Sequence, residues 1–330
     1  MFFFVILSTR IFRGHTRPVP APVVVAIGNF DGVHLGHQTI LEQVRTQARQ
    51  RNLPSVVMVF EPQPREYFAQ GEIPPRLMRF REKLAHLREQ QIDIVLCLQF
   101  NERLRNLSAR QFIDCILRDH LRLEHLVVGD DFRFGCDRQG NYAMLEEFGQ
   151  HYGYSVERTR TIEVEGERVS STRIRRVLDD HDFGLAERLL GHPYCMTGVV
   201  VHGQKLGRQI GVPTANVSLG RKVPALRGVY AVTARTVPKG DYGSADGDVW
   251  EGVANIGIRP TVNGLAPALE VHLFGFSGEL YGRHIQVAFR AWLRDEQKFE
   301  GIDALKAQIQ NDILKAKAYS AKQCKTGNTP

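Results

Sequence analysis

From Val23 onward, short apolar runs alternate with stretches whose apolar residues recur every three or four positions. The runs are VVVAI (23–27), VVMVF (56–60), IVLCL (94–98), HLVVG (125–129) and YSVERTRTI (154–162). Between them, Leu41, Val44 and Ala48, then Phe80, Leu84 and Leu87, then Phe112, Ile113, Ile116 and Leu117 fall at helical spacing. Ser108 followed by Gln111 has the form of a capping box opening the third of these helices. Strand and helix in strict alternation predict a doubly wound α/β domain around a parallel sheet.

The pattern changes after Leu190. TGVVVH (197–202), GVYAVTART (228–236), WEGVANIG (250–257), ALEVHLF (268–274) and HIQVAFRAWL (284–293) are strand-like runs separated by Gly and Pro turns, with little helix before Ile302. They predict a small antiparallel β-barrel. In the tail, Ile302, Leu305, Ile309 and Ile313 share one helical face, which predicts a helix packed on that barrel. GHP at 191–193 marks the boundary, so the expected domains are 20–190 and 191–320. The stretch 237–248 reads as a polar, Gly-rich loop of low order and the last ten residues as frayed; no internal repeat is present.

Composition adds little to this and removes several alternatives. At 330 residues and 43% hydrophobic, the chain is long enough for two packed cores. A net charge of +7 suits anionic ligands without choosing among them. The basic residues are spread along both halves rather than clustered among exposed aromatics, which argues against nucleic acid as a partner. Cys97, Cys115, Cys136, Cys195 and Cys324 form no CxxC pair, so neither a disulfide framework nor structural zinc is expected. The apolar run Phe2–Leu7 has no basic residue before it and is too short to span a membrane. A first strand or a misplaced start codon accounts for it equally well; the expected location is cytoplasmic, with no membrane partner. Nothing in the sequence bears on oligomeric state.

The densest chemical signal is GNFDGVHLGHQ (28–38), between the first strand and the first helix. In open α/β sheets ligands collect there, at the carboxyl ends of strands, where the next helix offers unpaired N–H groups. His34 and His37 would set two imidazoles beside the helix start, and Gly32 and Gly36 would admit a ligand close to the backbone. Cationic or hydrogen-bonding, such imidazoles would stabilise the charge that builds on an α-phosphate during nucleotidyl transfer. The bland alternative is a pair of surface histidines at a helix cap. A second segment, ERVSSTRIRRVL (167–178), follows the fifth run and combines the cap residues Ser170, Ser171 and Thr172 with Arg168, Arg173 and Arg175, a setting for a pyrophosphate leaving group. No Walker A, GxGxxG or HExxH motif occurs.

In the second half, HGQKLGRQIGVPTAN (202–216) brings Gly203, Gly207 and the cations Lys205 and Arg208 together before Thr214 and Asn216, which offer neutral oxygens for Mg²⁺. An ordinary basic turn reads the same way. Glu270 and His272 share one face of the run LEVHLF, opposite Leu269, Val271 and Leu273. A carboxylate facing a barrel mouth could deprotonate an attacking hydroxyl, although a solvated strand glutamate fits the pattern as well.

Taken in order, GNFDGVHLGH, FEPQP (60–64), VVGDDFRFG (127–135) and SSTRIR (170–175) resemble the adenylyltransferase module of the bifunctional bacterial riboflavin kinase/FAD synthetase family. HxGH alone would also fit cytidylyltransferases or pantetheine-phosphate adenylyltransferases. PTAN, GVYAV (228–232), GVANIGIRPT (252–261), LEVHLF and LRDEQKF (293–299) resemble the flavokinase module, so the resemblance runs from about residue 20 to the C-terminus. It implies that riboflavin is converted to FMN and FMN to FAD, with ATP as co-substrate and Mg²⁺ as cofactor. It implies further that His34 and His37 contact ATP phosphates, in a nucleotide site that takes in Gly28, Phe30, Asp31 and Arg168. Asp131 and Phe132 would help line the nucleotide and flavin pocket, and Ser171, Thr172 and Arg175 would hold the β- and γ-phosphates. In the kinase it makes Glu270 the base for the riboflavin 5′-hydroxyl, gives Thr214 and Asn216 to Mg²⁺ and the ATP phosphates, and sets Arg294 and Glu296 near the flavin. Where the family often has an acidic residue, this chain has Gly275, in a position expected to be a loop. A chain retaining only one activity is the rival reading, and every motif of both modules is intact.

Overall fold

The computed structural model describes residues 9–14, 19, 22–71, 73–129, 131–203, 207, 211–220, 223–238, 247–261 and 264–325. The apolar run at 2–7, Lys205 and Arg208, and most of the Gly-rich stretch at 237–248 lie outside them. Two compact units share the chain: one runs to Pro74 and resumes over Lys83–Ser170, and the other takes Pro75–Glu82 and the chain from Ser171 on. Among the described residues no helix is long and apolar enough to cross a membrane.

The first unit is a six-stranded parallel sheet with helices. Its strands are β1 (Arg10–Arg13), β2 (Val23–Ile27), β3 (Ser55–Glu61), β4 (Ile94–Gln99), β5 (Leu123–Val128) and β6 (Ser155–Arg158), in the order β1-β4-β3-β2-β5-β6. Every residue of β2 is buried, as expected of a strand covered on both faces. The long helix α1 (Leu35–Arg51) follows β2 and buries Leu41, Val44 and Ala48, the periodic positions of its sequence. Short helices α2 (Pro64–Tyr67) and α4 (Glu102–Arg105) follow β3 and β4, and α3 is Phe80–Glu89. The Ser108–Gln111 capping box forms in both directions, and the helix it opens, α5 (Ala109–Phe112), widens into a π-helix over Ile113–His120. Helix α6 (Tyr142–Tyr152) precedes β6, which ends at Arg158 rather than 162 because a two-stranded hairpin, β7 (Glu163–Val164) with β8 (Glu167–Arg168), takes over.

The second unit opens with α7 (Ser171–Asp179) and α8 (Phe183–Leu190) and closes a six-stranded antiparallel barrel. Its strands are β9 (Cys195–Val201), β10 (Ala215–Ser218), β11 (Gly228–Val237), β12 (Val249–Thr261), β13 (Gly264–Leu273) and β14 (His284–Arg294), ordered β10-β13-β12-β11-β14-β9. Tyr230, Ala254, Ile256, Val271, Val287 and Phe289 are almost wholly buried along alternating positions and fill the interior. The last helix, α9 (Ile302–Lys325), packs Ile309, Ile313, Ala316 and Tyr319 against Val229, Ala231 and Val253 on the outer face. Ile302, expected on that packed face, is 56% exposed because it lies in the first turn, beyond the strands. The helix also continues to Lys325, into the tail expected to fray.

Candidate active sites

The strand order of the first unit reverses between β2 and β5, so the crevice at their carboxyl ends is its natural ligand position. The segment after β2 reaches α1 through Phe30, Gly32 and Val33, all with positive φ (48°, 90° and 39°). Strain of this kind persists where surrounding packing over-determines it, and Phe30 and Val33 are each 1% exposed. Asp31 is also buried. A Cβ on Gly28 would press on the Phe30 ring, and one on Gly36 would lie 3.3 Å from the His34 ring and 3.5 Å from the carbonyl oxygen of Val169. The HxGH glycine thus lets the helix start lie close to the backbone just after β8.

His34 caps α1, its Nδ1 accepting the His37 backbone N–H at 3.3 Å. That bond fixes the proton of the neutral ring on Nε2. The two imidazoles stack with centroids 3.6 Å apart and planes 18° from parallel. Burial, with further depression by His34 and then Lys83, holds His37 well below the ordinary imidazole pKa, so it is neutral at physiological pH. Its Nδ1 is buried without a hydrogen-bond partner among the described residues. Of the two forms expected for this pair, cationic or neutral and hydrogen-bonding, burial favours the neutral one for His37.

Beyond the carboxyl ends of β3, β4 and β5 lies a cavity of about 710 Å³ walled by Phe60, Phe68, Phe100, Phe112, Phe132 and Phe134. Arg65, Arg105, Arg133 and Arg138 surround it, and the Arg105 guanidinium lies 5.4 Å from the centre of the Phe68 ring. Phe132 and Phe134 stack at 5.6 Å. Asp131, expected beside Phe132 in the lining, is exposed instead and faces Arg168 at 3.7 Å. Of the six phenylalanines, sequence reasoning singles out only Phe132. The signal that could have found Phe60 and Phe100 is their place at the ends of β3 and β4; Phe68 follows the short helix α2 and carries no such signal.

In the second unit, Ser171 opens α7, and Arg175 Nε donates to the carbonyl of Pro75 at 2.7 Å. Asn216 of β10, Glu270 of β13 and Asn255 of β12 stand directly opposite one another in the ladder, forming one row across three strands. The row lies on the outer face of the barrel, shared with His272 and Phe274 and opposite the buried Leu269 and Val271. Glu270 thus does not face a barrel mouth, since the interior is packed. The Asn216 amide rests on the backbone at Gly203, where a Cβ would collide with it. A Cβ on Gly207 would lie 3.1 Å from Thr214 Oγ1, and the Gly207 carbonyl accepts the Val212 N–H at 2.8 Å. A cavity of about 350 Å³ beside Thr214 and Ala215 is bounded by Phe276, Glu279 and Tyr281.

Arg294 is occupied structurally. Its guanidinium donates to both carboxylate oxygens of the buried Asp312 at 2.8–3.1 Å, clamping α9 to the end of β14. Glu296 accepts from Asn255 Nδ2 at 3.4 Å and lies over Gly257, where any Cβ would strike it. Gly275 has a φ of 67° in the turn after β13, a conformation that suits glycine. No cluster of three or more His, Cys, Asp or Glu able to hold a metal ion occurs among the described residues. Thr214 offers a hydroxyl, and Asn216, opposite Glu270 in the ladder, an amide oxygen; these are hard oxygen donors of the kind a magnesium ion takes.

Two family models match in tandem, FAD synthetase over residues 16–173 and riboflavin kinase over residues 190–320. A bifunctional riboflavin kinase/FMN adenylyltransferase of Pseudomonas fluorescens is 50% identical over 315 residues, covering 94% of this chain and 98% of that protein. The protein of the same description from Escherichia coli K12 is 49% identical over 313 residues, covering 94% and 97%. A crystal structure of a Streptococcus pneumoniae protein described as a macrolide-efflux protein superposes with a TM-score of 0.76 at 28% identity, covering 92% of this chain and 97% of that one.

Proposed function

This chain belongs to the bifunctional riboflavin kinase/FMN adenylyltransferase family, and from that membership we propose which of its residues perform each of the two reactions. The enzyme phosphorylates riboflavin to FMN in its C-terminal module and adenylylates FMN to FAD, releasing pyrophosphate, in its N-terminal module, with ATP as substrate for both. We take residues 20–190 as the adenylyltransferase and 191–320 as the kinase.

The observation that carries the first assignment is the stacked His34–His37 pair at the sheet's switch point. In FAD formation an oxygen of the FMN phosphate attacks the ATP α-phosphorus while the bond to pyrophosphate breaks. That phosphate is already ionised, so no base is required. What the reaction requires is stabilisation of the charge on the equatorial oxygens, and hydrogen bonds from His34 and His37 in a buried setting supply it. Gly28, Phe30 and Asp31 shape the nucleotide site around them, and Arg168 adds charge beside it. The aromatic cavity suits the isoalloxazine ring, with Phe132 as a stacking wall. Ser171, Thr172 and Arg175, at the start of α7, are assigned to the β- and γ-phosphates. Ser171→Ala and Arg175→Ala should raise the KM for ATP in FAD formation about tenfold and leave FMN formation from riboflavin unchanged. An unaltered KM removes the phosphate assignment.

In the kinase, Glu270 takes the proton of the riboflavin 5′-hydroxyl as the oxygen bonds to the γ-phosphorus and ADP leaves. Thr214 and Asn216 would hold a magnesium ion accompanying ATP, which would neutralise phosphate charge when bound. Gly203, Lys205, Gly207 and Arg208 belong to the loop assigned to the ATP phosphates, and Arg294 and Glu296 to the flavin side. Cytoplasmic residence is supported by the demand for ATP and by Cys97, Cys115, Cys136 and Cys195 being free thiols.

A further inference from the structure

Asn255 occupies the middle of β12, directly opposite Glu270, which in turn stands opposite Asn216. Residues opposed across an antiparallel ladder share a face, with Cβ atoms about 4.5–5.5 Å apart. Only one side of the Asn255 amide is engaged: Nδ2 donates to Glu296 Oε1 at 3.4 Å. Oδ1 is buried and has no donor among the described residues. Turning the amide over would set its carbonyl oxygen against the Glu296 carboxylate, so the orientation is fixed by charge. A buried carbonyl without a donor is costly, and native proteins keep one where a ligand or water completes it. The group bonded to the other side of the amide, Glu296, lies on a segment of no regular structure and over Gly257, which leaves it room.

Riboflavin carries the missing donor. Its side chain is a polyol whose terminal hydroxyl is the one phosphorylated, and the next hydroxyl is one carbon away. With the terminal hydroxyl at Glu270, an acceptor one strand over meets that neighbouring group. We propose that Asn255 is a specificity-determining residue of the kinase site, its side-chain carbonyl accepting a hydrogen bond from the polyol hydroxyl adjacent to the reacting one, with Glu296 giving way as the flavin enters. The inference rests on the reading of Glu270 as the base. In the reaction Glu270 takes the proton, the hydroxyl oxygen bonds to the γ-phosphorus and the bond to ADP breaks; Asn255 moves no proton and aims the chain.

The test is a cycle between residue and substrate. FMN-forming kinetics are measured with riboflavin and with its 4′-deoxy analogue, for the unaltered enzyme, Asn255→Leu and Asn255→Ser. The unaltered enzyme should lose about tenfold or more in kcat/KM on the deoxy analogue, because a site built to bond a hydroxyl rejects a substrate lacking it. Both variants should lose a similar factor with riboflavin and treat the two substrates alike within about twofold. Variants that still discriminate, or that match the unaltered enzyme on riboflavin, overturn the inference. Serine leaves room without strain, and circular dichroism of each variant separates a lost contact from a lost fold. Glu270→Gln is measured alongside: its loss of FMN formation keeps the underlying reading in place, whereas retained FMN formation removes that reading and this inference with it.

Discussion

At the scale of single residues, burial decides which chemistry a histidine offers. His37 sits in the first turn of α1, just after the positive-φ residues Phe30, Gly32 and Val33, and remains neutral, so in the proposed site it offers an oriented hydrogen bond rather than a charge. His125 is also buried, and its pKa is lowered by burial and then by Arg51, against an opposing hydrogen bond to Glu157. Both rings therefore bind a proton more readily in the unfolded chain, near the ordinary 6.5, than in the native one. The resulting stability is complete above about pH 6.5 and is lost as pH falls below it toward the native pKa values. Melting temperatures of the first unit should drop from about pH 8 to about pH 5.5, and the His37→Gln/His125→Gln variant should flatten that slope. A slope unchanged by the pair would refute the account. Phe132→Ala should raise the KM for FMN in FAD formation about tenfold and spare the kinase, as removal of one stacking face predicts. HxGH is legible in the sequence because spacing and a preceding strand are sequence properties. The neutrality of His37 is not, since it depends on what packs around it.

At the scale of elements, most strands announce themselves by runs that burial demands, and VVVAI becomes β2 without a residue's difference. Elements held by pairing rather than by their own pattern leave no such signal. β1 has mostly exposed side chains and exists through its parallel register with β4, and β10 is four residues wedged between β9 and β13. Alternation correctly separates the face of Glu270 from that of Leu269, yet it does not say which face is inside. That depends on the filled interior and on α9 covering the outer side. The helix is secured there by Asp312, which is almost fully buried and receives the Arg294 guanidinium. Asp312→Ala should leave that cation uncompensated and cost about 3–5 kcal/mol, lowering the melting transition of the barrel and FMN formation at elevated temperature. FAD formation from supplied FMN should persist. An unchanged transition would mean that the pair contributes no net stability.

At the scale of the whole molecule, the change from strand–helix alternation to closely spaced strands after Leu190 is enough by itself to separate two architectures. Residues 75–82 escape that division. Arg79 donates to the carbonyls of Thr197 and Leu219, and Glu82 accepts the Thr197 N–H at 2.9 Å, so a segment from the first half is built into the second unit. Contacts more than a hundred residues apart leave no periodic trace in sequence. Their consequence is that the second unit is not one continuous stretch of chain.

The central claim is that the His34–His37 site makes FAD and the Glu270 site makes FMN. The most direct measurement follows both products over time by chromatography, giving riboflavin or FMN with ATP and Mg²⁺ to the unaltered enzyme, His37→Ala and Glu270→Gln. The unaltered enzyme should show FMN first and FAD after it. His37→Ala should accumulate FMN with FAD formation reduced about 10²–10³-fold, and Glu270→Gln should make FAD from FMN while making almost no FMN from riboflavin. FAD formed at the normal rate by His37→Ala, or FMN formed at the normal rate by Glu270→Gln, would contradict the account.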